Sequence, residues 1–436
     1  MESFVLAGSL GAGLTHANTT APTSDKAADD EGYWRWIANQ FLTYPQYAYM
    51  NCGTRGPSPR SVVQAQMDAI QAYDTDRLSY ATYVDTRETR DQLRSRLAAF
   101  VGCDSDELAF TNNTTEGMSF GTLGIELKPG DEVIYTNHDH NGGAQPVNLA
   151  CARYGAKPVM IDLTAAKFHP PENDDVIVEA FADAITPQTR LISFCHVNYT
   201  DGCCLPVKKI CALARERGVL TLVDGAHPPG MMALDLHDLG CDMYAGAGHK
   251  WLLAGMLTGF LYVRREVIDQ VWPLVYSGPV DGMSMYQSPQ EEGATLAQSK
   301  SAARYEMRGS KNFAGIASLR AALDFQEEIT IQAIEARVRH LAATARQGLR
   351  AIPGVEVFVS DQHELSVGLV SFKVPGMEVT DVNDHLWNRH GIYIRDVTHP
   401  EIDWSVNRAS LHIMLDQSQV ELFVGAVEEL AREAAS

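Results

Sequence analysis

The sequence predicts an α/β fold, a mostly parallel β-sheet covered by helices, followed by a smaller α+β domain. Three observations support this prediction. The chain has 436 residues, which is too long for a single small hydrophobic core. From about residue 60 to residue 270, short apolar runs alternate with helical patterns, and continuous apolar runs are typical of strands buried on both faces. Beyond about residue 300, long helices follow one another and strands become fewer.

The elements can be assigned in chain order. Apolar, β-branched runs predict strands in the first part of the chain at residues 107–111, 132–136, 158–162, 190–194, 220–224 and 259–263. Apolar residues at helical spacing predict helices there at residues 61–71, 87–100 and 205–217. The same criteria predict later helices at 313–329, 331–349, 377–390 and 417–434, with strands at 355–359, 367–372 and 410–414. We therefore expect a large domain over residues 31–300 and a small domain over residues 301–436.

Residues 1–30 are predicted to be a leader or a disordered segment. Residues 4–14 are apolar and small, and the polar stretch after them completes a pattern that resembles a twin-arginine export signal. The basic start of such a signal is missing, because Glu2 is the only charged residue before the apolar run. As written the chain is expected to stay in the cytoplasm, and a periplasmic or exported location is left open. No later apolar run reaches the roughly 18 residues of a membrane span.

The charge balance excludes two classes of partner. Lysine and arginine number 35 against 55 aspartates and glutamates, a net charge of −20. Nucleic acids and anionic membranes both attract clustered cations, so neither is expected to bind. The eight cysteines form no Cys-x-x-Cys pair and their spacing fits no zinc site, so buried free thiols and no metal are predicted.

One carboxylate and one lysine carry most of the chemical information. An apolar run ends in Asp224, and Lys250 follows among small residues between two predicted strand ends. A lysine amine can form a Schiff base with the aldehyde of pyridoxal 5'-phosphate (PLP). A carboxylate can hold the pyridine nitrogen of that coenzyme protonated, which keeps the ring an electron acceptor. Because an apolar, glycine-flanked setting disfavours a solvated ammonium, we expect the pKa of Lys250 to be lowered.

Polar residues after other predicted strands can complete such a site. Residues 111–117 combine hydroxyls and backbone amides at a helix start, which suits a phosphate, although a simple helix cap has the same composition. His138 or His140 could stack on a pyridine ring, the alternatives being a solvated loop or a metal site. Further candidates for the cleft are His196, Asn198, His227 and His249. No nucleotide-binding glycine loop and no Gly-x-Ser-x-Gly motif occurs, which excludes those enzyme classes.

Seven segments together resemble the fold-type I PLP-dependent enzymes, within them the class V aminotransferase family and its isopenicillin N epimerase-like group, which includes pyoverdine-tailoring periplasmic enzymes. The resemblance spans about residues 48 to 415. The segments are Tyr49–Pro57, Thr111–Glu116, Asp131–Asp139, Ser193–Val197, Val223–His227, Leu239–Asp242 and Gly248–Leu252.

The resemblance implies a role for each matching residue. Lys250 corresponds to the Schiff-base lysine that also moves the Cα proton, Asp224 to the partner of the pyridinium, and His138 to the stacking residue. The implied phosphate ligands are Thr114, Thr115 and His249, with His227 near the phenolic oxygen. Ser310 matches a residue that a neighbouring subunit contributes to the phosphate site, which implies a homodimer with shared active sites. Arg408 is implied to clamp the substrate carboxylate, with Arg55 and Asn198 as further substrate-binding candidates.

Two classes of function follow from these residues. The first is a PLP-dependent enzyme acting on an amino acid or an amino-bearing peptide-like metabolite by removing the Cα proton, as an aminotransferase or an epimerase. A β-eliminating lyase is an alternative, because the same deprotonation precedes all three outcomes. Cysteine desulfurases share the fold, but residues 242–436 contain no cysteine that could carry a persulfide. The second class is a non-catalytic ligand-binding module on the same fold.

Overall fold

The computed structural model describes residue 22 and residues 24–44, 46–277 and 301–435. Its α-helices are α1 Glu31–Ala38, α2 Arg60–Thr75, α3 Arg77–Ser79, α4 Arg87–Val101, α5 Thr114–Leu123, α6 Asn141–Tyr154, α7 Asp175–Ala184, α8 Val207–Glu216, α9 Leu236–Leu239, α10 Phe313–Ile329, α11 Ile331–Ala351, α12 Val379–His390 and α13 Gln417–Ala435. Its strands are β1 Ala48–Tyr49, β2 Leu108–Thr111, β3 Glu132–Thr136, β4 Lys157–Ile161, β5 Thr189–Cys195, β6 Leu220–Gly225, β7 Met243–Ala247, β8 Gly259–Val263, β9 Glu356–Val357, β10 Leu369–Lys373, β11 Ile392–Tyr393, β12 Arg395–His399 and β13 Trp404–Ser410.

The largest sheet has seven strands in the order β2-β8-β7-β6-β5-β3-β4. The five strands from β7 to β4 pair in parallel, and β8 runs antiparallel to both β7 and β2. This arrangement confirms the predicted mostly parallel α/β fold. The carboxyl ends of parallel strands meet at one edge of the sheet, where ligands of open α/β folds bind.

Each face of the large sheet is covered by its own apolar core. Neighbouring residues of one strand point to opposite faces. Leu222 accordingly packs with Met118 and Val147 on one face, and Val223 packs with Ile210 on the other. The continuous apolar runs in the sequence are therefore the consequence of two buried faces, as parallel sheets require.

A third core joins the two ends of the chain. It contains residues of α1, such as Trp34, and residues of the four-stranded sheet β12-β13-β10-β9, together with α11 and α13. In contrast, Leu319 and Leu323 of α10 pack in the core of the large sheet. By core packing, α10 therefore goes with the large sheet and α1 with the small domain. The domain boundary predicted at residue 300 rested on a change in sequence pattern and stays a prediction.

Two local predictions differ from the structure. The strand predicted at residues 410–414 lies earlier, at Trp404–Ser410, because alternating polar residues there, such as Asn407 and Arg408, are buried by surrounding elements and hide the apolar pattern. Strand β7 was not predicted, because Met-Tyr-Ala-Gly-Ala is too rich in small residues to show a β-branched run.

Most of the predicted leader, residues 1–21 and 23, lies outside the described residues. The last residues before α1 contact α10 and α11: Lys26 Nζ donates to the Glu328 carbonyl at 2.7 Å, and Arg337 Nη1 donates to the Ala28 carbonyl at 2.9 Å. In the part of the chain that the structure describes, no helix combines the length and the apolar character needed to cross a bilayer. All eight cysteines are free thiols.

Candidate active site

A pocket opens at the carboxyl ends of β6 and β7. It measures about 770 Å³, counting the part of its mouth open to solvent. The lining residues are Gly53, Thr54, Asn113, Thr114, Thr115, His140, Gly142, Tyr199, Asp224, Ala226, His249, Lys250, Arg395 and Arg408. Lysine and arginine outnumber carboxylates in this lining, so the pocket suits an anionic ligand although the whole chain is strongly acidic.

Asp224 and Lys250 lie in the pocket as predicted from the sequence. Asp224 stands near the end of β6, and its Oδ1 accepts from the Ala226 amide at 3.0 Å, which orients the carboxylate. Burial raises the pKa of Asp224, and Lys250 opposes that shift. Burial lowers the pKa of Lys250 from 10.5 to about 8, with the charge of Asp224 acting in the opposite direction. The lysine is thereby kept close to the uncharged state that attacks an aldehyde.

The start of α5 forms one wall of the pocket. Asn113 caps the helix by accepting from the Glu116 amide at 2.9 Å. Thr114 is 7% exposed, and its Oγ1 is buried with no hydrogen-bond partner. With Thr115 beside it, this helix start offers hydroxyls and free backbone amides to an anion. His249 faces the same pocket, with its Nδ1 3.4 Å from the Thr258 carbonyl.

His227 has a defined tautomer. The indole Nε1–H of Trp251 donates to His227 Nδ1 at 3.0 Å, so the neutral ring carries its hydrogen on Nε2. That Nε2 is buried and has no partner. Burial, with the charge of Lys250 as a second cause, holds the pKa of His227 well below 6.5, which keeps the ring neutral. His227 is not itself a lining residue; it lies behind Gly53 of the lining, so this N–H borders the pocket.

Arg408 is a buried cation without an acidic partner. It is 1% exposed, its Nη1 donates to the Tyr199 carbonyl at 2.6 Å, and its Nε has no partner. Among the described residues no carboxylate lies within ion-pair distance of it, and burial lowers its pKa to about 9. An unpaired buried charge is costly unless a ligand neutralises it. Arg408 lines the pocket, so it is placed to meet an anionic group there.

The structure separates the two histidines that follow β3. His138 is fully buried and is not part of the pocket lining, and its Nδ1 lies 2.5 Å from Thr200 Oγ1. His140 does line the pocket, where its Nδ1 accepts from the Gly142 amide at 3.0 Å. Enclosure in the pocket, followed by the charge of Lys250, lowers the pKa of His140 to about 4. The stacking role predicted for His138 is therefore better suited to His140, the alternative that the sequence left open.

The remaining candidates lie outside the pocket lining. Arg55 is exposed, Asn198 is buried, and His196 Nδ1 lies 3.0 Å from the Tyr244 hydroxyl beneath the sheet edge. Ser310 is exposed, and its predicted role concerns a neighbouring subunit's site, so that role stays a prediction.

Several pocket residues were not identified from the sequence, among them Gly53, Tyr199 and Arg395. A Cβ at Gly53 would come within 3.1 Å of Arg408 Nη2 and 3.2 Å of His227 Cε1, so the glycine preserves space between these groups. Arg395 begins β12, a short strand whose alternation was not recognised, and Tyr199 follows the predicted strand at 190–194 in a loop.

The pocket fits a phosphorylated aldehyde coenzyme such as PLP. The orphaned Oγ1 of Thr114 and the α5 helix start suit a phosphate, and the unpaired Nε2–H of His227 suits an anionic oxygen. Asp224 and Lys250 offer the acid and the amine that the ring and the aldehyde require. These residues come from three separate segments, the start of α5, the end of β6 with the residues after it, and the loop after β7, and the sheet edge brings them together.

Comparison with known proteins agrees with this assignment. The family model "Aminotransferase class-V" matches residues 51–423. The chain is 29% identical over 406 residues to isopenicillin N epimerase of Streptomyces clavuligerus, covering 92% of this chain and 99% of that protein. It is 30% identical over 410 residues to isopenicillin N epimerase of Amycolatopsis lactamdurans, with the same coverage of 92% and 99%.

Solved structures show the same fold. A cysteine desulfurase from Thermococcus onnurineus NA1 superposes with a TM-score of 0.78 at 24% identity, covering 91% of this chain and 98% of that one. A mutant of C-DES with glycine covalently linked to its PLP cofactor superposes with a TM-score of 0.78 at 23% identity, covering 90% and 98%. At identities below 25% this similarity shows the fold alone.

Proposed function

Since this chain belongs to the class-V aminotransferase family and its coenzyme is PLP, we propose that it removes the Cα proton of an amino acid or an amino-bearing peptide-like metabolite, as an aminotransferase or an epimerase. One observation carries the proposal: Lys250, Asp224 and the unpaired Arg408 share one pocket. An amine, an acid for the coenzyme ring and a cation for a substrate carboxylate are the groups that this chemistry needs.

The coenzyme would be held by groups of the pocket wall. Thr114, Thr115 and His249 would bind the phosphate, His227 would donate to the phenolic oxygen, and Asp224 would keep the ring nitrogen protonated. When bound, PLP supplies an aldehyde that joins to amines and a ring that withdraws electrons from the attached carbon. His140, whose ring is fixed by its contact with the Gly142 amide, would take the position against the ring face that was predicted for His138.

Substrate recognition would depend on the two arginines. Arg408, which lacks an acidic partner among the described side chains, would receive the α-carboxylate in a bidentate pair. Arg395 is exposed at the pocket mouth, where it could contact a further anionic group of a larger substrate. This leaves the Cα–H bond of the substrate beside Lys250, whose neutral amine would accept the proton and later return it.

The outcomes differ in where the proton and the electrons go afterwards. Transamination, epimerisation and elimination would share the loss of the Cα proton to Lys250; they would differ in whether a proton comes back to Cα, and on which face, and in whether a β-substituent leaves. The similarity to isopenicillin N epimerases supports the first two over the third. A persulfide-forming desulfurase is disfavoured, because the described pocket lining contains no cysteine and residues 242–436 contain none. A non-catalytic ligand-binding module would not require the lowered pKa of Lys250.

The partner proposed for the chain is a second copy of itself. Ser310 would then complete the phosphate site of the neighbouring subunit, as the family resemblance implies. Arg308, two residues earlier, contacts Glu116 and donates to the Phe110 carbonyl at 2.9 Å, so this segment already lies against the α5 wall.

The proposed function can be tested by hydrogen exchange. The PLP-loaded protein is incubated in D₂O with a panel of L- and D-amino acids and amino-bearing peptides, and deuterium at Cα is measured by mass spectrometry. We expect exchange for at least one carboxylate-bearing amine. Oxo-acid formation would then identify transamination, and appearance of the opposite stereoisomer would identify epimerisation. Absence of exchange for the whole panel, with the coenzyme bound, would leave only the ligand-binding module.

The lowered pKa of Lys250 predicts how coenzyme loading depends on pH. Only the neutral amine reacts with the aldehyde, so the rate of PLP capture by the apoprotein should fall about tenfold per pH unit below pH 8 and level off above it. Asp224 raises the pKa of Lys250. Asp224→Asn should therefore shift the profile towards lower pH. Stopped-flow absorbance of the bound coenzyme measures both profiles, and an unchanged profile in the variant would contradict the assigned pairing.

A further inference from the structure

Three side chains that could bind a metal ion lie together beside the pocket, and none of them belongs to its lining. His138 follows β3, His169 lies between β4 and α7, and Asp201 follows β5. One potential ligand atom from each lies within 4.8 Å of the other two. The His138 residue is 0% exposed, and the side chains of His169 and Asp201 are 4% and 1% exposed. Strands β4, β3 and β5 are neighbours in the sheet, which is why their carboxyl-end loops converge.

The hydrogen bond of His169 fixes which of its nitrogens faces the cluster. Its Nε2 lies 2.5 Å from the Leu163 carbonyl, which can only accept, so Nε2 carries the hydrogen. A neutral ring then has a lone pair on Nδ1. That Nδ1 lies 3.1 Å from Asp201 Oδ2, and both atoms have no hydrogen-bond partner. Two acceptors facing each other in a buried place repel unless a cation or a proton lies between them.

Contacts with the protein also orient the side chains of Asp201 and His138. The second carboxylate oxygen of Asp201, Oδ1, accepts from the Cys203 amide at 2.8 Å, which leaves Oδ2 to the cluster. His138 Nδ1 lies 2.5 Å from Thr200 Oγ1, and its Nε2 is buried without a partner. Histidines that bind metals commonly use one nitrogen for the ion and donate from the other to a protein oxygen. His169 has this arrangement, and His138 is placed to adopt it.

We propose that His138, His169 and Asp201 bind a divalent first-row transition-metal ion, with zinc as the first candidate. Two imidazoles and one carboxylate are ligands that such ions prefer. If Nδ1 of His169 were protonated, it could donate to Asp201 Oδ2, but His138 Nε2 would still lack a hydrogen-bond partner. A water molecule could donate to His169 Nδ1 and Asp201 Oδ2, but it would serve His138 as well only if His138 carried its hydrogen on Nε2. A cation satisfies all three atoms at once.

The surroundings indicate a structural role for this ion. The ring of Trp404 in β13 encloses the cluster: its centroid lies 4.9 Å from the ring centroid of His138 and 4.5 Å from that of His169. The ion would connect three strand-end loops of the large sheet next to His140 of the pocket wall. No metal is predicted from the sequence, since these three ligands come from distant loops and form no compact motif.

The proposal can be tested on the full-length PLP-loaded protein. Metal content is measured by plasma mass spectrometry after desalting; the protein is then stripped with a chelator and titrated with Co²⁺, whose visible absorption reports nitrogen and oxygen ligands. We expect about one metal per chain for the wild type, and a rise in its melting temperature when Zn²⁺ is restored. Absence of Co²⁺ absorption and of any thermal shift in the stripped wild type would overturn the proposal, whichever variants fold.

Two variants and one control locate the site. His169→Gln and Asp201→Asn should weaken Co²⁺ binding by roughly tenfold or more, in the range measured for lost metal-site contacts. His237→Asn alters a different group, formed by the exposed His237 and Asp104 with the buried Glu107, so it should leave binding unchanged. Circular dichroism and coenzyme absorbance confirm that each variant is folded. Equal binding in His169→Gln and the wild type, or loss of binding in His237→Asn alone, would assign the metal elsewhere.

Discussion

Replacing Lys250 with alanine should lower turnover by roughly 10²–10⁴-fold or more while leaving the fold intact. The general-base contribution alone is worth about that factor, and the amine that would join the coenzyme is lost as well. Within the described part of the chain the Lys250 side chain donates no hydrogen bond, so its removal should not disturb neighbouring elements. Borohydride reduction followed by peptide mass spectrometry should attach the coenzyme to the Lys250 peptide of the wild type and to no peptide of the variant.

A matched control is Lys157→Ala on the exposed face of β4. It should retain wild-type turnover and wild-type labelling of the Lys250 peptide. If Lys250→Ala kept near-normal turnover with the labelled peptide elsewhere in the chain, the assignment of the reactive amine would be wrong. Loss of turnover together with loss of the circular dichroism spectrum would point to a folding role for this lysine and against the catalytic assignment.

Arg408→Met should reduce kcat/KM for carboxylate-bearing substrates by a factor corresponding to about 2–5 kcal/mol, roughly thirtyfold or more. The guanidinium has no acidic partner among the described residues and faces the pocket, so its expected counter-ion is the substrate carboxylate. Most of the effect should appear in KM, because the arginine would bind the substrate before the reacting bond changes. The corresponding substrate amides should be turned over equally by the variant and the wild type. Steady-state kinetics with acid and amide pairs measure both.

Arg55→Met is the control for the second predicted carboxylate ligand. Arg55 is exposed and outside the pocket lining, so its replacement should leave kcat/KM unchanged. The reverse outcome, with Arg55→Met impaired and Arg408→Met unaffected, would show that the substrate lies elsewhere. Arg395→Met distinguishes the substrates further, because only substrates with a second anionic group should respond to it.

Much of the fold could be predicted from local sequence patterns. All six strands predicted in the first part of the chain coincide with strands of the large sheet, because their apolar runs are continuous and, except in the exposed edge strand β4, most of their residues are buried. Asp224 and Lys250 could be paired for a similar reason, since charged groups at the ends of buried apolar strands have few structural explanations. Strand β7 and the true position of β13 could not, because small or buried polar residues there do not produce a periodic apolar pattern.

The candidate site shows the same division between local and distant information. His138 and His140 are two residues apart in one loop, and no periodicity decides which ring reaches the pocket. The answer depended on Thr200 and Trp404, which hold His138 beneath the surface. Arg395 was overlooked because it belongs to the small domain, and only the packing of the two domains brings it to the pocket.

The sequence by itself determined the type of fold, the family and the coenzyme, and it pointed to the acid–amine pair, because these depend on residue types and apolar patterns within short segments. Only the tertiary structure decided which loops meet. It placed His140 in the pocket, left Arg408 buried without a carboxylate, and brought His138, His169 and Asp201 together. The physical reason is that contacts between distant segments depend on strand order in the sheet, and strand order is not encoded in the pattern of any single strand.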